Sequence, residues 1–131
     1  MSKILIIDDD FEIVALLSDV LTREGHTVDT AGEAVEGMQK ARAMQPNLII
    51  LDYHMPGTTG AHLFESLRRN QSTRKTPILF MSGEASSDDI LNEISDPDGA
   101  SFLAKPVRLA DFRKAVRDLL ASGSPPQPSK S

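Results

Sequence analysis

The stretch NLIILDYHMPGTTG, residues 47–60, decides the fold. Its four consecutive apolar residues, 48–51, include two β-branched residues and are bounded by turn formers. This pattern predicts a strand that is buried on both faces rather than a helix. Asp52 ends the strand, and Met55-Pro56-Gly57 then breaks the chain. Because ligands of open parallel sheets bind just outside the carboxyl ends of the strands, Asp52 is a candidate reactive side chain.

The rest of the chain alternates strand and helix patterns. Besides 48–52, short apolar strands are predicted at 3–7, 26–31, 78–81 and 100–104. Helices are predicted from Phe11 to just before Gly25 and at 33–44, 61–69, 86–94 and 109–120. Five strands alternating with five helices predict a parallel sheet covered on both faces. Because five units are too few for an eight-stranded barrel, the expected fold is α/β: an open, doubly wound, flavodoxin-like sheet in the strand order 2-1-3-4-5.

Apolar residues at helical spacing predict which helix faces are buried. Asp10 is a good N-cap for the first helix, and the stripe of that helix consists of Ile13, Leu16, Leu17, Val20 and Leu21. The stripe of the last helix consists of Leu109, Phe112, Val116 and Leu119. We therefore expect both helices to pack against the sheet through these residues.

Length and composition indicate one domain with a substantial core. The chain has 131 residues, no cysteine, 40% apolar residues and 25% charged residues. The absence of cysteine excludes disulfide frameworks and thiolate zinc sites. No stretch resembles a signal peptide or a membrane span, so we expect a cytoplasmic protein without membrane contact. We expect an ordered domain at 1–121, and the Pro/Ser-rich residues 122–131 are interpreted as a disordered tail or the start of a linker.

The charge of the chain argues against direct nucleic-acid binding. Fourteen basic and nineteen acidic residues give a net charge of −5, whereas a surface that follows phosphates needs concentrated positive charge. The densest basic patch is Arg68, Arg69, Arg74 and Lys75. We interpret it as a solvated helix end and loop, where cations also suit the helix dipole.

Reactive side chains follow four of the predicted strands. Asp8 and Asp9 end the first strand, Asp52 the third, Ser82 the fourth, and Lys105 the fifth. In the order 2-1-3-4-5 these strands are neighbours, and the chain reverses direction between strands one and three. We therefore expect three carboxylates, a hydroxyl and an ammonium in one cleft.

A cleft of this composition favours a divalent cation and a phosphoryl group. Two carboxylates about 4 Å apart repel by roughly 4 kcal/mol at an effective dielectric near 20, so the group takes up protons or binds a cation. Mg²⁺ suits one or two carboxylates plus phosphate oxygens. Lys105 and Ser82 can stabilise a transferring phosphoryl group, and Asp52 can act as its nucleophile.

The same residues carry a family resemblance. IIDDD at 6–10, LDYHMPGTTG at 51–60, Ser82-Gly83 and FLAKP at 102–106 occur in order at strand ends. Each motif alone is weak, but together they are highly specific. The chain resembles a two-component response-regulator receiver domain (CheY-like superfamily) from residue 3 to about 121.

The resemblance implies a role for each site residue. Asp52 is the phosphoacceptor; Asp9 and Asp52 ligate Mg²⁺, with Mn²⁺ as an alternative; Asp8 acts through a bound water; and the backbone carbonyl of His54 completes the protein ligands. Ser82 donates to the phosphoryl oxygens, Lys105 pairs with them, and the Lys105–Pro106 bond is cis. The implied protein is a phosphoacceptor regulator that assists its own phosphorylation and dephosphorylation, not an enzyme with a separate substrate.

The resemblance also implies partners and a switch. The phosphoryl donor is a histidine kinase or a histidine phosphotransfer protein, and the downstream partner is an unknown protein. Ser82 moves toward the phosphoryl group, and Phe102 turns inward behind it. The fourth helix, fifth strand and fifth helix report the change, in a monomer or a phosphorylation-dependent homodimer. Only Ser101 separates Gly99-Ala100 from Phe102, where receivers often have two residues, so we expect a tighter loop or a displaced fourth helix.

Two residues flank the phosphoryl position. His54 lies two residues after Asp52, and Glu84 lies two residues after Ser82. Side chains there can admit, orient or block the hydrolytic water, so we expect His54 and Glu84 to tune the phosphoryl lifetime. The alternative for His54 is that it only points to solvent.

Two rival functions use similar chemistry or the same fold. A haloacid-dehalogenase-like phosphatase also uses Asp, Ser/Thr, Lys and Mg²⁺, but such enzymes usually carry a second Asp at the position of His54. A flavin-binding module lacks support because three Asp residues follow the first strand, where the cofactor phosphate would need a Gly/Ser/Thr-rich loop.

Overall fold

The computed structural model describes residues 2–55, 58–83 and 100–122. The strands are β1 (Lys3–Ile7), β2 (Thr27–Ala31), β3 (Leu48–Asp52), β4 (His54–Met55), β5 (Thr58–Thr59), β6 (Ile78–Ser82) and β7 (Ala100–Ala104). The helices of this part of the chain are α1 (Phe11–Arg23), α2 (Ala34–Met44), α3 (Gly60–Arg69) and α4 (Leu109–Ser122). The predicted helix at 86–94, Glu84 and the tail from residue 123 lie outside the described residues.

Five strands form one parallel sheet in the order β2-β1-β3-β6-β7. Counted without the short strands β4 and β5, this is the predicted order 2-1-3-4-5. β4 and β5 form a separate antiparallel hairpin, in which His54 pairs with Thr59. The sequence pattern does not predict this hairpin, because two-residue strands are too short to show a periodicity of two.

Two hydrophobic clusters cover the two faces of the sheet. One contains Leu5 and Ile7 of β1 together with residues of α2 and α3. The other contains Ile4 and Ile6 together with residues of α1 and α4. Successive strand residues point to opposite faces, so β1 supplies both clusters, and all five residues of β3 are buried. Among the described residues, no helix is long and apolar enough to cross a membrane.

The helix stripes were only partly predicted correctly. Leu16 is 47% exposed, and Val14 is buried instead. Leu16 is turned by about 100° from Leu17, which faces the sheet, so it lies on the flank of α1. Leu109 is 37% exposed because it starts α4 and has no preceding helical turn beside it.

The basic patch at Arg68, Arg69, Arg74 and Lys75 is not entirely solvated, because Arg68 has a structural role. Arg68 is partly buried, and its Nη1 donates to the carbonyl oxygens of Thr73 and Thr76 at 3.2 and 2.7 Å. Its guanidinium also lies 4.6 Å from the centroid of the Phe64 ring. Arg68 therefore joins the end of α3 to the loop before β6. The other three basic residues, Arg69, Arg74 and Lys75, are exposed as predicted.

Candidate functional site

The register of the sheet places the predicted site residues at one edge. Ile7 pairs with Leu51, so Asp8 follows β1 at the level of Asp52. Asp52 pairs with Met81, which places Ser82 one residue beyond it on the neighbouring strand. Ser82 in turn pairs with Ala104, and Lys105 follows directly. The carboxyl ends of four strands thus meet at the cleft that the sequence predicts.

Three carboxylates lie close together in this cleft. Asp8 and Asp52 are buried, with exposed fractions of 1% and 5%, whereas Asp9 is exposed. Each can offer one oxygen such that the three atoms lie within 4.8 Å of one another. The backbone N–H of Asp10 donates to Oδ1 of Asp8 at 3.0 Å, which fixes the orientation of that buried carboxylate.

Asp10 itself caps α1, as predicted. Its Oδ1 accepts from the backbone N–H groups of Glu12 and Ile13 at 3.0 and 3.3 Å. These bonds satisfy two donors at the helix start that have no partner within the helix. The third acid of the run therefore anchors the loop that carries Asp8 and Asp9.

Lys105 brings the positive charge of the cleft. Its Nζ lies 3.2 Å from Oδ2 of Asp8 and 3.7 Å from Oδ1 of Asp52. The backbone N–H of Lys105 donates to the carbonyl of Ser82 at 2.8 Å. The Lys105–Pro106 bond is cis, in agreement with what the resemblance implies. The contact with Asp8 is not part of the predicted roles, and it is the closer of the two.

The electrostatics of Asp52 follow from its burial. Burial and the neighbouring Asp8 carboxylate raise the pKa of Asp52 from 3.8 to about 6, although Lys105 and the backbone N–H of His54 oppose the rise. Burial alone would lower the pKa of Lys105, but the charges of Asp8 and Asp52 outweigh it and raise that pKa. The cleft therefore carries more negative charge than its one lysine neutralises.

The donor set fits a hard divalent cation. Carboxylate oxygens are the ligands that Mg²⁺ prefers, and two oxygens bound to one Mg²⁺ are at most about 4.2 Å apart. The limit of 4.8 Å among Asp8, Asp9 and Asp52 is within a small side-chain adjustment of that value. In addition, the ammonium of Lys105 lies between Asp8 and Asp52, so positive charge is already drawn to these two carboxylates.

The turn after Asp52 is tightly packed. The backbone N–H of His54 donates to Oδ1 of Asp52 at 3.2 Å, and the exposed His54 ring meets the Tyr53 ring edge-on at 5.1 Å. Gly60 begins α3 directly against Tyr53, and a Cβ added at Gly60 would lie 2.7 Å from the Tyr53 Cα. Because backbone cannot move aside, position 60 requires glycine. The hydrogen bond from its backbone N–H places His54 directly beside Asp52, the candidate phosphoacceptor.

The burial of Tyr53 is a feature of the site that the sequence pattern does not predict. Tyr53 is buried, with an exposed fraction of 3%. Its hydroxyl has no hydrogen-bond partner among the described residues. A tyrosine beside the candidate acid gives no sequence signal of its orientation, because both faces of the preceding strand are apolar. The residue is also the only tyrosine, in a chain without tryptophan.

Phe102 has an intermediate position. It packs against the hydrophobic cluster on the α2 and α3 face but is only partly buried. It also lines a groove of about 460 Å³ between β7 and α4, together with Lys114 and Leu119. Phe102 therefore lies between the core and the surface of the fifth sheet strand, and its movement as a switch residue stays a prediction.

Residues 4–117 match the family model of the response regulator receiver domain. The chain belongs to this family. The match covers the motifs at all four strand ends of this receiver domain, so the haloacid-dehalogenase-like and flavin-binding alternatives are wrong.

Curated relatives of the receiver domain include transcriptional regulators. The chain is 36% identical over 124 residues to the transcriptional regulatory protein AfsQ1 of Streptomyces coelicolor, covering 94% of this chain and 53% of that protein. It is 33% identical over 120 residues to the DNA-binding dual master transcriptional regulator RpaA of Synechocystis, covering 92% and 49%. The chain thus spans about half the length of these relatives.

Solved structures of similar fold include other response regulators. The chemotaxis response regulator CheY4 of Vibrio cholerae has a TM-score of 0.82 and 30% identity, covering 91% of this chain and 98% of that chain. The response regulator TrrA of Thermotoga maritima, solved in complex with Mg²⁺ and BeF, has a TM-score of 0.75 and 26% identity, covering 91% and 99%. Both likenesses extend over nearly the whole receiver domain.

Proposed function

We propose that Asp52 accepts a phosphoryl group from a phosphohistidine on a histidine kinase or histidine phosphotransfer protein. The observation that carries this proposal is the cluster itself: Asp52 is buried beside Asp8, lies 3.7 Å from the Lys105 ammonium, and stands at a strand end in a receiver-family chain. The relative TrrA was solved with Mg²⁺ and BeF, which supports a metal and a phosphoryl site in the same cleft.

The transfer is a displacement at phosphorus. A carboxylate oxygen of Asp52 forms a bond to phosphorus while the P–N bond of the phosphohistidine breaks. The electron pair of that bond stays on the imidazole nitrogen, which takes up a proton. Lys105 pairs with the phosphoryl oxygens, and the hydroxyl of Ser82 donates to them.

A divalent cation completes this arrangement. Asp9, Asp52 and the backbone carbonyl of His54 would hold Mg²⁺, with Asp8 acting through a bound water, and Mn²⁺ is an alternative ion. When bound, the cation supplies positive charge against the phosphoryl oxygens. The chain's own residues orient the acceptor: the His54 N–H fixes Oδ1 of Asp52 at 3.2 Å, and burial excludes bulk water.

Intact-mass measurement tests this proposal. The protein is incubated with acetyl phosphate in Mg²⁺, and in parallel with EDTA. We expect a phosphoryl adduct on the wild type in Mg²⁺ only, and none on Asp52→Asn. Glu36→Gln serves as the matched control, because Glu36 is an acid outside the cleft, and it should be modified like the wild type. An adduct on both wild type and Asp52→Asn, or on neither, contradicts the assignment.

His54 is proposed to set the phosphoryl lifetime. Its ring is exposed and meets the Tyr53 ring edge-on, and its backbone N–H donates to Asp52; we propose that the ring contacts the water that attacks phosphorus. We expect His54→Ala to change the rate of phosphate loss by several-fold, measured by following the adduct mass after the donor is removed. His62→Ala is the matched control, since His62 is exposed on α3. Equal rates in His54→Ala and the wild type would mean that His54 only faces solvent. Glu84, the second proposed tuning residue, lies outside the described residues.

The output is proposed to be a change in protein binding. Phosphorylation would draw Ser82 toward Asp52 and Phe102 inward from the groove beside α4, which alters that surface for an unknown downstream partner or a second copy of the chain. The expectation that no nucleic acid is contacted has no support, because RpaA is named DNA-binding; we therefore propose only that the receiver surface itself binds proteins. The domain limits 1–121 and the cytoplasmic location stay predictions.

A further inference from the structure

Four aromatic rings form a continuous series from the core of the domain to its surface. Phe64 of α3 and Phe80 of β6 have ring centroids 5.6 Å apart, and the Phe80 ring meets the Tyr53 ring edge-on at 5.8 Å. The Tyr53 ring in turn meets the His54 ring edge-on, at 5.1 Å and an interplanar angle of 86°. Phe64, Phe80 and Tyr53 are buried, whereas His54 is exposed. The exposed imidazole therefore rests against a buried ring.

The backbone of Tyr53 is held at both of its polar groups. Its N–H donates to the carbonyl of Met81 at 2.9 Å, and its carbonyl accepts from the N–H of Gly60 at 2.6 Å. A Cβ added at Gly60 would lie 3.0 Å from Cδ1 of the Tyr53 ring, so α3 begins directly against that ring. The ring has little room to move, which makes it a rigid support for the neighbouring side chain.

The hydroxyl of Tyr53 makes no contact that accounts for a tyrosine at this position. It is shielded from solvent and has no hydrogen-bond partner among the described residues, and a buried hydroxyl without a partner costs free energy. The contacts of Tyr53 with Phe80 and His54 are made by the ring. Because edge-on aromatic pairs are favourable beyond the area that they bury, the ring is the part of Tyr53 that can act on His54.

We propose that Tyr53 is a positioning residue that acts through His54: its ring holds the imidazole in one position beside Asp52 and thereby sets the phosphoryl lifetime. This inference rests on the proposed roles of Asp52 as phosphoacceptor and of His54 in phosphate loss. The hydrogen bond from the His54 N–H to Asp52 already fixes the backbone, so the side-chain rotamer is what the ring contact selects. A ring contact of ordinary strength changes the population of one rotamer about two- to tenfold.

Proton NMR of the unphosphorylated protein tests the positioning. The chain contains three histidines, so comparison with His54→Ala identifies the imidazole resonances of His54. We expect Tyr53→Leu to move these resonances toward those of a histidine in an unstructured peptide, because the ring current of Tyr53 is lost. Tyr53→Phe keeps the ring and should leave them near their wild-type positions. His26, which accepts from the Ser2 N–H at the amino-terminal side of the sheet, is the internal reference.

The rate of phosphate loss tests the consequence. It is followed by the mass of the adduct after acetyl phosphate has been removed. We expect Tyr53→Leu to change this rate about two- to tenfold in the same direction as His54→Ala, and Tyr53→Phe to keep a rate near that of the wild type. The double variant Tyr53→Leu/His54→Ala should lose phosphate at the rate of His54→Ala alone, because the ring acts only through the imidazole.

Phe64→Leu is the control for damage to the core. Phe64 belongs to the same hydrophobic cluster as Tyr53, and its ring packs against Phe80 and the guanidinium of Arg68. We expect this variant to unfold at lower urea concentration, with unchanged His54 resonances and a wild-type rate of phosphate loss. Tyr53→Met replaces Tyr53→Leu if the leucine variant does not fold, and it should show the same changes as those expected for leucine.

The outcomes separate this inference from the proposed function. If no adduct forms on Asp52, the proposed function fails, and the NMR comparison alone decides whether Tyr53 positions the imidazole. Unchanged His54 resonances in Tyr53→Leu overturn the inference, with or without phosphorylation. If Asp52 is phosphorylated, a wild-type rate in Tyr53→Leu or in His54→Ala, or additive effects of the two substitutions, also overturns it.

A purely structural role of Tyr53 has its own signature. Equal changes of the rate in Tyr53→Leu, Tyr53→Phe and Phe64→Leu would reflect loosened packing of the core and would overturn the inference. Displaced His54 resonances in Tyr53→Leu, their recovery in Tyr53→Phe, and a double variant that matches His54→Ala support it.

Discussion

Two lysines of this receiver domain each lie between two carboxylates, and their surroundings differ. Lys40 Nζ is 3.1 Å from Asp29 and 3.3 Å from Glu36, and those acids are 49% and 44% exposed. Lys105 contacts Asp8 and Asp52, which are 0% and 7% exposed. Each lysine thus pairs with two acids, yet Lys40 joins α2 to β2 on the surface and Lys105 fills a cleft.

One carboxyl group in each cluster has a shifted pKa, and the two shifts have opposite directions. The Gly32 backbone N–H and Lys40 lower the pKa of Glu36, whereas burial and Asp8 raise the pKa of Asp52 to about 6. Water and hydrogen bonds stabilise the ionised form of the exposed acids, so the negative charge that Lys40 leaves unpaired is solvated. The buried acids lack that solvation, so one lysine leaves them with unmet charge. Burial, not composition, therefore distinguishes the Lys105 cluster from the Lys40 cluster, and we propose that it makes the Lys105 cluster a ligand site.

Neutralising one acid in each cluster gives the largest expected difference. Asp8→Asn should weaken Mg²⁺ binding about thirtyfold, roughly 2 kcal/mol, because it removes a buried charge next to the proposed metal ligands. Glu36→Gln should leave the affinity within about twofold. Calorimetric titration of both variants with MgCl₂ measures the difference. Similar losses in the two variants would show that general surface charge, rather than the cleft, attracts the metal.

The raised pKa of Asp52 predicts that its removal stabilises the metal-free protein. An acid whose pKa in the folded state exceeds its ordinary value is destabilised when ionised, and this cost is present at neutral pH and lost as pH falls from about 6 toward 4. In EDTA at pH 7, we expect Asp52→Asn to be more stable than the wild type by about 1–2 kcal/mol, discounted for the partial solvation of the site. Urea denaturation measures the free energy of unfolding.

The pH dependence of that difference is the control. The advantage of Asp52→Asn should shrink when the same measurement is made near pH 4, because the wild-type carboxyl is then protonated. Glu36→Gln should show no advantage at pH 7, since the pKa of Glu36 is lowered. A constant advantage of Asp52→Asn across this range would mean that packing, not charge, explains it.

The exposed cluster gives the smallest expected effect. Lys40→Met should lower the free energy of unfolding by less than about 1 kcal/mol, because its ion pairs face solvent, although Nζ also donates to the Thr30 carbonyl at 2.6 Å. The loss should decrease further in 1 M NaCl, where exposed charges are screened. Thermal unfolding at low and high salt checks this. A loss of several kcal/mol that salt does not change would place Lys40 among the buried determinants of the fold.

Strong local patterns made most of the fold predictable. All five strands of the sheet lie within one residue of their predicted limits. Continuous apolar runs such as Leu48–Leu51 are typical of strands that are buried on both faces, so their limits are visible in the sequence. Asp10 caps α1 as its position after a strand predicts. The exposure of Leu16 was not predictable from apolarity alone, because which side of a wide stripe meets the sheet depends on how the helix is placed.

The site was predictable in its membership and less so in its contacts. Strand ends brought Asp8, Asp52, Ser82 and Lys105 together, because parallel strands place their carboxyl ends at one edge. That Lys105 lies nearer to Asp8 than to Asp52 depends on side-chain distances between residues 97 positions apart. The burial of the Tyr53 hydroxyl and the backbone contact that requires glycine at Gly60 are likewise set by tertiary packing.

Chemical mapping of the phosphoryl adduct tests the central claim most directly. After incubation with acetyl phosphate and Mg²⁺, borohydride reduces an aspartyl phosphate to homoserine, and peptide mass spectrometry locates the converted residue. We predict conversion at Asp52 and at no other acid of the cleft, and none when EDTA replaces Mg²⁺. Conversion at Asp8 or Asp9, or equal conversion of Asp52 with and without Mg²⁺, would contradict a metal-dependent acceptor built around Asp52.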